Sequence, residues 1–396
     1  MVTVEEATAT VLENSYTPVA ISVPITEAVG RTLAEPIRAD RDFPPFDRVA
    51  MDGIAIRFDE WDRGQREFPI EDTQAAGQAQ KELKNELHAL EVMTGAVLPE
   101  GADTVVRYED LQINNGTARI IAESIQRGVN IHKQGQDARK ADVLLPPGII
   151  LSPAEVALLA SIGQSNVDVL SFPKAAIIAS GDELIEIEST PEPHQIRRSN
   201  TYAIQAAMRE LDWEGTQFHL PDHKEFLKES LAAILADNDV MIVSGGVSRG
   251  KYDYIPDVLA EIGVEKRFHQ VSQRPGKPFW FGVTKKGKTV FALPGNPVST
   301  YMCFHRYVKP WLMQSFGHPY RPLQAILAKD FTFEPSLTYF LQVQVRNEGG
   351  RLMAYPHPGG GSGDFANLKD VDGFLELPKE KTSFKQGEVY ALVPFR

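Results

Sequence analysis

The residues best suited to chemistry in this sequence lie in short loops that follow apolar, strand-like segments. Ser244-Gly245-Gly246-Val247-Ser248 follows Met241-Ile242-Val243, and Pro294-Gly295-Asn296-Pro297 follows the strand-like segment 289–292. Adjacent glycines let backbone N–H groups converge on an anion, because no Cβ atom blocks the approach. A glycine pair alone fits a tight strand-to-helix turn equally well. In combination, the two loops predict a site for a phosphorylated small molecule.

Polar side chains next to these loops widen the range of chemistry. Ser248, Lys251 and Asp253 place a hydroxyl, a cation and a carboxylate in the first loop. Asp253 is suited either to capping the following helix or to binding Mg²⁺. In the second loop, Asn296 and Pro297 have the residue types of a helix start, as N-cap and first residue, a role compatible with ligand binding through the free N–H groups of that helix.

Two further loops carry charges of opposite sign. Arg274 and Lys277 flank Pro275-Gly276, so two cations lie around a tight turn where they can hold phosphate or another oxyanion, although such a turn is also common on a solvated surface. Ser180-Gly181-Asp182-Glu183 ends an apolar strand with two carboxylates, which fit either a helix cap or a metal site.

More acids and turns lie outside this group. Asp52-Gly53 and Thr94-Gly95 have ordinary turn chemistry, and the segment 132–137 is a basic and polar loop with one acid, Asp137. Asp222 begins a sequence that also suits a helix start. Taken together, these residues indicate a site for phosphate and a hard cation without a nucleophile of its own, and metal-assisted attack on a phosphoanhydride is the matching reaction class.

Bulk properties exclude several protein classes. The 396 residues carry 41 Lys plus Arg against 53 Asp plus Glu, and the net charge of -12 argues against general affinity for nucleic acid or anionic membranes. No segment approaches the roughly 18 apolar residues that a spanning helix needs, so we expect a cytoplasmic protein. The single cysteine, Cys303, has apolar neighbours and is expected to be a small core residue.

The loops must be positioned by several domains. We expect mixed helical structure over residues 1–40, a small β-rich domain over 43–138, and a helix that starts at Ser152-Pro153-Ala154-Glu155 and ends near Gly163. From Lys174 on, apolar strands alternate with amphipathic helices, which predicts a parallel sheet with ligands at the carboxyl ends of its strands. Short strands after Gly317 predict a final β domain.

Six segments in this order resemble one known family. MDGIAI, MTGAVLPEGADTVV, SGDEL, SGGVSRGKYDY, RPGKPF and LPGNPVS are similar to the motifs of the MoeA family, the molybdopterin molybdenumtransferases, to which the C-terminal domain of gephyrin also belongs. The resemblance covers essentially the whole chain. It implies a MogA-like three-layer α/β domain (172–318) with an inserted small β domain (43–138), a discontinuous helical and extended N-terminal region (1–42 with 139–171) and a C-terminal β-barrel-like domain (319–396).

The resemblance also implies an activity in molybdenum cofactor biosynthesis. The family inserts molybdenum from molybdate into adenylylated molybdopterin, with Mg²⁺-dependent cleavage of the phosphoanhydride and release of AMP. The resemblance further implies a homodimer in which both subunits contribute to each site. It also implies contacts with the adenylyltransferase and with molybdoenzymes that accept the cofactor. By motif position the catalytic residues are Asp52, Thr94, Asp137, Glu183, Asp222 and Asp253, with Glu183 and Asp253 on Mg²⁺. The binding residues are Ser180, Gly181, Asp182, Ser244, Gly245, Gly246, Val247, Ser248, Arg274, Pro275, Gly276, Lys277, Pro294, Gly295, Asn296, Pro297 and Ser299.

Two positions depart from the family pattern, and three alternatives remain open. Arg274 replaces a lysine common in the family, which keeps the charge but changes its geometry from a point to a fork, and the loop 132–137 is less basic than usual. The alternative functions are the adenylyltransferase step itself, insertion of tungsten, and a gephyrin-like binding scaffold. ATP consumption with free molybdopterin, preference for tungstate, or loss of catalysis would identify each of them.

Overall fold

A computed structural model describes residues 1–247 and 253–396. The chain divides into two compact units. The smaller unit comprises Val23–Val29 and Leu33–Val167, and the larger comprises Met1–Ser22, Gly30–Thr32 and Asp168–Arg396. Ser248 and Lys251, two residues of the first predicted loop, lie outside the described residues.

The first 170 residues are mainly short strands. In chain order the elements are α1 (Val4–Glu13), β1 (Ala20–Pro24), a 3-10 turn (Ile25–Glu27), β2 (Ile37–Arg38), β3 (Arg48–Val49), β4 (Gly53–Ile56), α2 (Phe58–Asp62), β5 (Glu67–Gln74), β6 (Ala89–Val92), β7 (Thr104–Arg107), a 3-10 turn (Tyr108–Asp110), β8 (Leu111–Asn114), β9 (Thr117–Ile120), β10 (Ile131–His132), β11 (Val143–Leu145), α3 (Pro153–Ser161) and β12 (Asn166–Leu170). Of the mixed helical structure expected over residues 1–40, the structure has only α1 and the 3-10 turn Ile25–Glu27, because the rest of this segment is extended or irregular.

The smaller unit is built on a six-stranded sheet, in the order β7-β4-β6-β5-β9-β8. The strand β4, second in this order, is buried along its whole length. Its residues Ile54 and Ala55 pack into cores on opposite faces of the sheet. Gly53 pairs with Arg107, and a Cβ atom at Gly53 would lie 1.9 Å from the carbonyl oxygen of Val106. The tight pairing fixes Asp52 at the entrance of β4.

The helix predicted from Ser152 is confirmed as α3. The Ser152 side chain accepts from a first-turn N–H group, Glu155 accepts from the Ser152 N–H, and Pro153 is the first helical residue. These contacts satisfy donors that the start of a helix leaves unpaired. Local sequence therefore determines this helix start.

The α/β part of the larger unit alternates strands and helices. Its elements are β13 (Ala175–Ser180), β14 (Leu184–Ile185), β15 (Ile196–Arg197), α4 (Asn200–Arg209), β16 (Gly215–Leu220), α5 (Lys224–Asp237), β17 (Val240–Ser244), α6 (Ile255–Glu261), β18 (Val264–His269), β19 (Gln273–Arg274), β20 (Trp280–Thr284), β21 (Thr289–Leu293), α7 (Pro297–Cys303), a π-helical segment (Phe304–Val308) and α8 (Lys309–Ser315).

The strands form a sheet in the order β16-β13-β17-β21-β20-β18. Successive residues of one strand, such as Ile177 and Ile178, pack into two different cores on opposite faces of the sheet. The sheet is therefore the middle of three layers. The parallel sheet is confirmed for the first four strands, but β20 pairs antiparallel with both β21 and β18, which the prediction did not include. The reason is the tight turn around Gly287 between β20 and β21, since so short a connection joins antiparallel neighbours.

The C-terminal part is a small closed barrel. Its elements are β22 (Leu323–Leu327), β23 (Phe331–Thr332), β24 (Thr338–Glu348), β25 (Arg351–Pro356), a 3-10 helix (Phe365–Asp370), β26 (Gly373–Leu377), β27 (Ser383–Phe384) and β28 (Val389–Pro394). The order β24-β25-β22-β28-β26 closes because β26 also pairs with β24. β19 adds to β24, so the barrel is joined to the segment that carries Arg274.

Candidate functional site

A cavity of about 540 Å³ lies where the parallel strands end. The register pairs Ser180 with Leu220 and Ser244 with Leu293, so the residues after each strand meet at one edge of the sheet. Its lining residues are Ala179, Ser180, Glu183, Leu184, Ile196, Arg197, Arg198, Ser199, Asn200, Thr201, Asp222, Ser244, Gly245, Gly246, Val247, Asp253, Pro278, Pro294, Gly295, Asn296 and Pro297. The position is the usual one for ligands in doubly wound folds.

The two glycines after β17 are there for geometric reasons. Gly245 and Gly246 have φ values of 103° and 66°. A Cβ atom would lie 2.4 Å from the carbonyl oxygen of Ser180 at Gly245, and 2.6 Å from Ile255 at Gly246. A side chain at either position would therefore force the loop out of the cavity.

The loop after β21 starts α7 as predicted, with Asn296 at the N-cap position and Pro297 as the first helical residue. The Asn296 side chain makes no capping bond, and its amide nitrogen donates to Ser362 Oγ at 2.9 Å. The Thr300 hydroxyl donates to the carbonyl oxygen of Pro294 and holds the loop from the inside. One local contact and one contact with a distant residue therefore hold this loop.

Three carboxylates line this cavity, those of Glu183, Asp222 and Asp253. Burial, and then the nearby charges of Asp182, Glu183 and Asp253, raise the pKa of Asp222. The hydroxyl of Ser180 donates to Asp222 and works in the opposite direction. Acids this close are costly to keep ionised unless a cation or a donor compensates them, which makes the cluster suitable for binding a hard cation.

The structure also decides between alternatives for these acids. Asp222 does not cap α5, because His223 holds the N-cap position and the Asp222 carboxylate faces Ser180. Tyr254, not Asp253, precedes α6 as N-cap. No helix follows Glu183, so the helix-cap reading of that loop is wrong. Within residues 1–247 and 253–396, no group of three or more acids, histidines or cysteines forms a ready-made metal cage.

Asp222→Asn is expected to raise the melting temperature at neutral pH. A raised pKa in the folded state means that the folded protein binds the proton more tightly than the unfolded chain, so stability falls as pH rises through that pKa. The asparagine removes this loss, and the melting curves of the two proteins should converge at acid pH. Thermal unfolding across pH tests this, with Asp237→Asn at the end of α5 as control; a lower melting temperature at neutral pH would contradict it.

A second cavity of about 430 Å³ adjoins the first and shares Pro278, Pro294 and Asn296 with it. It contains the predicted cations Arg274 and Lys277, and Pro275, Gly276 and Ser299 also line it. From the C-terminal barrel and its loops come Tyr339, Gln342 and Ser362. In the described part of the chain, neither cation lies in an ion pair with a carboxylate. Their charges are thus available to an oxyanion.

The turn that carries these cations is fixed by contacts with buried side chains. Gly276 has φ of 88°, and a Cβ atom there would lie 2.7 Å from Cys303 Sγ. The Gln273 amide nitrogen donates to the carbonyl oxygen of Gly276 at 3.1 Å, and the Tyr307 hydroxyl donates to Gln273. Cys303 is fully buried, which confirms the prediction of a core residue, and burial raises its pKa. It serves as packing for the turn.

The smaller unit holds the remaining predicted residues. The Thr94 N–H donates to Asp52 Oδ1 at 2.6 Å, and this contact lowers the pKa of the exposed Asp52 carboxyl. Close by, the Tyr108 hydroxyl donates to Glu91 at 2.8 Å, and burial together with that carboxylate raises the pKa of Tyr108 to about 12. Asp52 and Thr94 thus form one structural group, so Asp52 is more than an isolated turn residue.

Asp137 belongs to a second group in the same unit. His132 Nε2 lies 2.8 Å from Asp137 Oδ1, and Arg48 lies 3.0 Å from His132 Nδ1. Since the guanidinium can only donate, Nδ1 accepts and the Nε2–H donates to Asp137. β3 and β10 pair directly, which brings Arg48 opposite His132. The chain Arg48–His132–Asp137 leaves the carboxylate exposed and oriented.

Several cavity residues are absent from the predicted set. They are Leu184, Ile196, Arg197, Arg198, Ser199, Asn200 and Thr201, all in the segment between β13 and the first turn of α4. The pair Ser199-Asn200 ahead of an amphipathic helix was a usable signal, because such residues often sit where a helix begins at a sheet's functional edge. The side chain of Asn200, however, bonds to loops that are distant in sequence.

Known proteins share this architecture. The family model of the MoeA N-terminal region (domains I and II) matches residues 2–163, that of a probable molybdopterin binding domain matches 176–314, and that of the MoeA C-terminal region (domain IV) matches 324–395. The chain belongs to the MoeA family. A molybdopterin molybdenumtransferase of Synechocystis is 40% identical over 365 residues, covering 91% of each chain. One of Bacillus subtilis is 32% identical over 388 residues, covering 94% of this chain and 89% of that protein.

Solved structures agree with the MoeA assignment. The molybdopterin biosynthesis MoeA protein of Pyrococcus horikoshii superposes with a TM-score of 0.85 at 32% identity, over 100% of this chain and 99% of that one. The fold expected from the resemblance, a MogA-like α/β domain with a barrel-like C-terminal domain, is confirmed. Among the described residues, no helix is long and apolar enough to cross a membrane.

Proposed function

We propose that this MoeA family member inserts molybdenum into molybdopterin. The observation that carries the proposal is the pair of adjoining cavities at the sheet edge. One combines backbone-lined loops with three carboxylates, and the other contains Arg274 and Lys277. A ligand with a phosphoanhydride in the first cavity and an oxyanion in the second matches this division of charge. Relatives named molybdopterin molybdenumtransferase support the same reading.

The substrate we propose is adenylylated molybdopterin, with molybdate as the second substrate. The loops at 244–247 and 294–297 hold the phosphates through the backbone N–H groups of residues such as Gly246 and Gly295, while Arg274 and Lys277 hold the molybdate oxygens. Water attacks the phosphoanhydride, AMP leaves and the pterin keeps its own phosphate. The two dithiolene thiols bind the molybdenum of molybdate, and their two protons leave with one molybdate oxygen as water. The buried Cys303 is unsuited to metal binding, so the sulfur ligands belong to the substrate.

The acid cluster fits Mg²⁺. This ion is commonly bound by one or two carboxylates together with substrate phosphates and water, so a cage of protein ligands is unnecessary. Glu183 and Asp253 would hold it, with Asp222 hydrogen-bonded to Ser180 beside them. A bound Mg²⁺ supplies charge neutralisation to phosphate oxygens. Ser180 meanwhile orients Asp222, and the glycine loop keeps side chains away from the phosphates.

The direct test measures AMP release from adenylylated molybdopterin with purified protein and Mg²⁺. Release that requires molybdate, together with transfer of active cofactor to a cofactor-free molybdoenzyme, is the expected result. ATP consumption with free molybdopterin would indicate the adenylyltransferase step instead, and preference for tungstate in competition would change the metal. Absence of AMP release under all these conditions would refute the proposed function.

We further propose a homodimer in which Asp52, Thr94 and Asp137 of one subunit complete the site of the other. The support is that these residues form oriented, exposed groups in the smaller unit, whereas residues of the larger unit line both cavities. Asp52→Ala and Glu183→Gln should each be inactive as homodimers. Mixed dimers of the two regain one intact site, so roughly a quarter of the activity should return on subunit exchange. No recovery in confirmed mixed dimers would place the whole site within one chain.

A further inference from the structure

Asn200, the first residue of α4, joins the two ligand loops. Its half-buried side chain lines the larger cavity. The amide nitrogen lies 2.7 Å from the carbonyl oxygen of Gly295, 2.9 Å from Ser244 Oγ and 3.3 Å from Thr300 Oγ1. One side chain therefore reaches the loop after β17, the loop after β21 and the helix that follows.

The direction of these bonds is determined. A carbonyl oxygen can only accept, so the Asn200 amide nitrogen is the donor to Gly295. Thr300 donates its own proton to the carbonyl oxygen of Pro294, and its oxygen is therefore left to accept from Asn200. The two amide hydrogens are shared among three acceptors, which holds the amide group in one orientation.

The described residues make other contacts between these elements, and Ser244 Oγ lies 3.5 Å from Thr300 Oγ1. The Gly245 N–H donates to the carbonyl oxygen of Leu293 at 3.2 Å. A Cβ atom built on Gly295 would lie 3.6 Å from the Cα atom of Gly245. These backbone contacts lie at the strand ends. Further out, where the loops face the cavity, Asn200 supplies the bond to Gly295.

We propose that Asn200 is a positioning residue that sets the spacing of the two loops on the phosphates of the ligand. The inference rests on the proposed function, since it names what keeps that site in its reactive geometry. A misplacement of reacting groups by about 1 Å can cost about 10²-fold in rate. The main effect of losing Asn200 should therefore fall on kcat, with a smaller change in KM.

Three substitutions separate positioning from simple stabilisation. Asn200→Ala removes the donor, and Asn200→Asp places a carboxylate oxygen against the carbonyl oxygen of Gly295. Asn200→Gln keeps both amide hydrogens but moves them by one methylene. All three should lower kcat for AMP release, by about 10²-fold for Ala and Asp. If the site needed merely a hydrogen-bond donor, the glutamine variant would keep its activity.

Asn238→Ala is the matched control. The Asn238 amide nitrogen donates to the carbonyl oxygen of Ile234 at 2.8 Å at the end of α5. Asn238 does not line the cavity of about 540 Å³ that contains Asn200. This variant should lose a similar bond without any change in kcat. Melting temperatures of all variants are measured so that rates are compared below every transition.

The outcomes distinguish this inference from the proposed function. Wild-type protein without molybdate-dependent AMP release overturns the function. Active wild type with unchanged kcat in folded Asn200→Ala and Asn200→Gln variants overturns the positioning role alone. Equilibrium binding of AMP gives a readout besides turnover, and we expect weaker binding by Asn200→Asp than by wild type or Asn238→Ala. Equal binding by all of them, with normal kcat, also refutes it.

Discussion

Glu183→Gln should lower kcat/KM for AMP release by about 10²-fold or more, at unchanged melting temperature. The Glu183 carboxylate is exposed, lines the larger cavity and lies within the acid cluster that raises the pKa of Asp222. Glutamine keeps the size of the side chain but removes the charge that a cation bound to phosphate requires. The fold should be unaffected, because Glu183 contributes to it mainly through its backbone carbonyl oxygen, which accepts from Ile196.

The control for this prediction lies five residues away. Glu188 belongs to the same segment, is exposed to solvent and does not line the cavity. Glu188→Gln should keep most of the activity. Measuring AMP release against Mg²⁺ concentration adds a second readout, since Glu183→Gln should need more Mg²⁺. If both variants behaved alike, Glu183 would have no special role.

Glu376→Ala should cost about 3–5 kcal/mol of unfolding free energy. Glu376 lies on β26 of the barrel, and its carboxylate accepts from Arg306 Nε at 2.8 Å in the π-helical segment. The side chains of Arg306 and Glu376 are 6% and 16% exposed. Burial opposes the charge of Arg306, but Glu376 more than compensates and the pKa of Arg306 is raised. Without its partner, a buried guanidinium remains unpaired.

An exposed ion pair of the same barrel provides the comparison. Lys385 and Asp330 lie 2.9 Å apart with side chains 66% and 60% exposed. Lys385→Ala should leave the unfolding free energy nearly unchanged, because exposed pairs are screened by water and salt. Denaturant unfolding of both variants gives the two free energies. Similar small losses would mean that Arg306 finds another partner or reaches solvent.

Sequence predicts best what short segments determine by themselves. The start of α3 follows from Ser152, Pro153 and Glu155, which satisfy each other's backbone groups within one turn. The glycines at 245 and 246 similarly follow from a backbone conformation that side chains disfavour. The helix start and the positive φ values are local properties of the backbone, whereas the close approach of Ser180 to Gly245 depends on the strand order.

Contacts between distant residues account for what sequence could not predict. Asn200 reaches acceptors 44, 95 and 100 positions away, so its role cannot be inferred before the strand order is known. Asn296 has the residue type of a helix cap, yet Ser362, 66 positions away, takes its amide hydrogen. Local propensity predicts the helix start, and tertiary contacts decide the use of the side chain.

The cavity with Arg274 and Lys277 has a consequence for biosynthesis of the chain itself. Its wall includes Gln342 and Ser362, and the Val298 N–H donates to the carbonyl oxygen of Ser362 at 3.1 Å. A ribosome releases these residues well after the sheet strands that end at Leu293. The wall of this cavity is thus incomplete in a nascent chain until the C-terminal barrel and its loops have emerged.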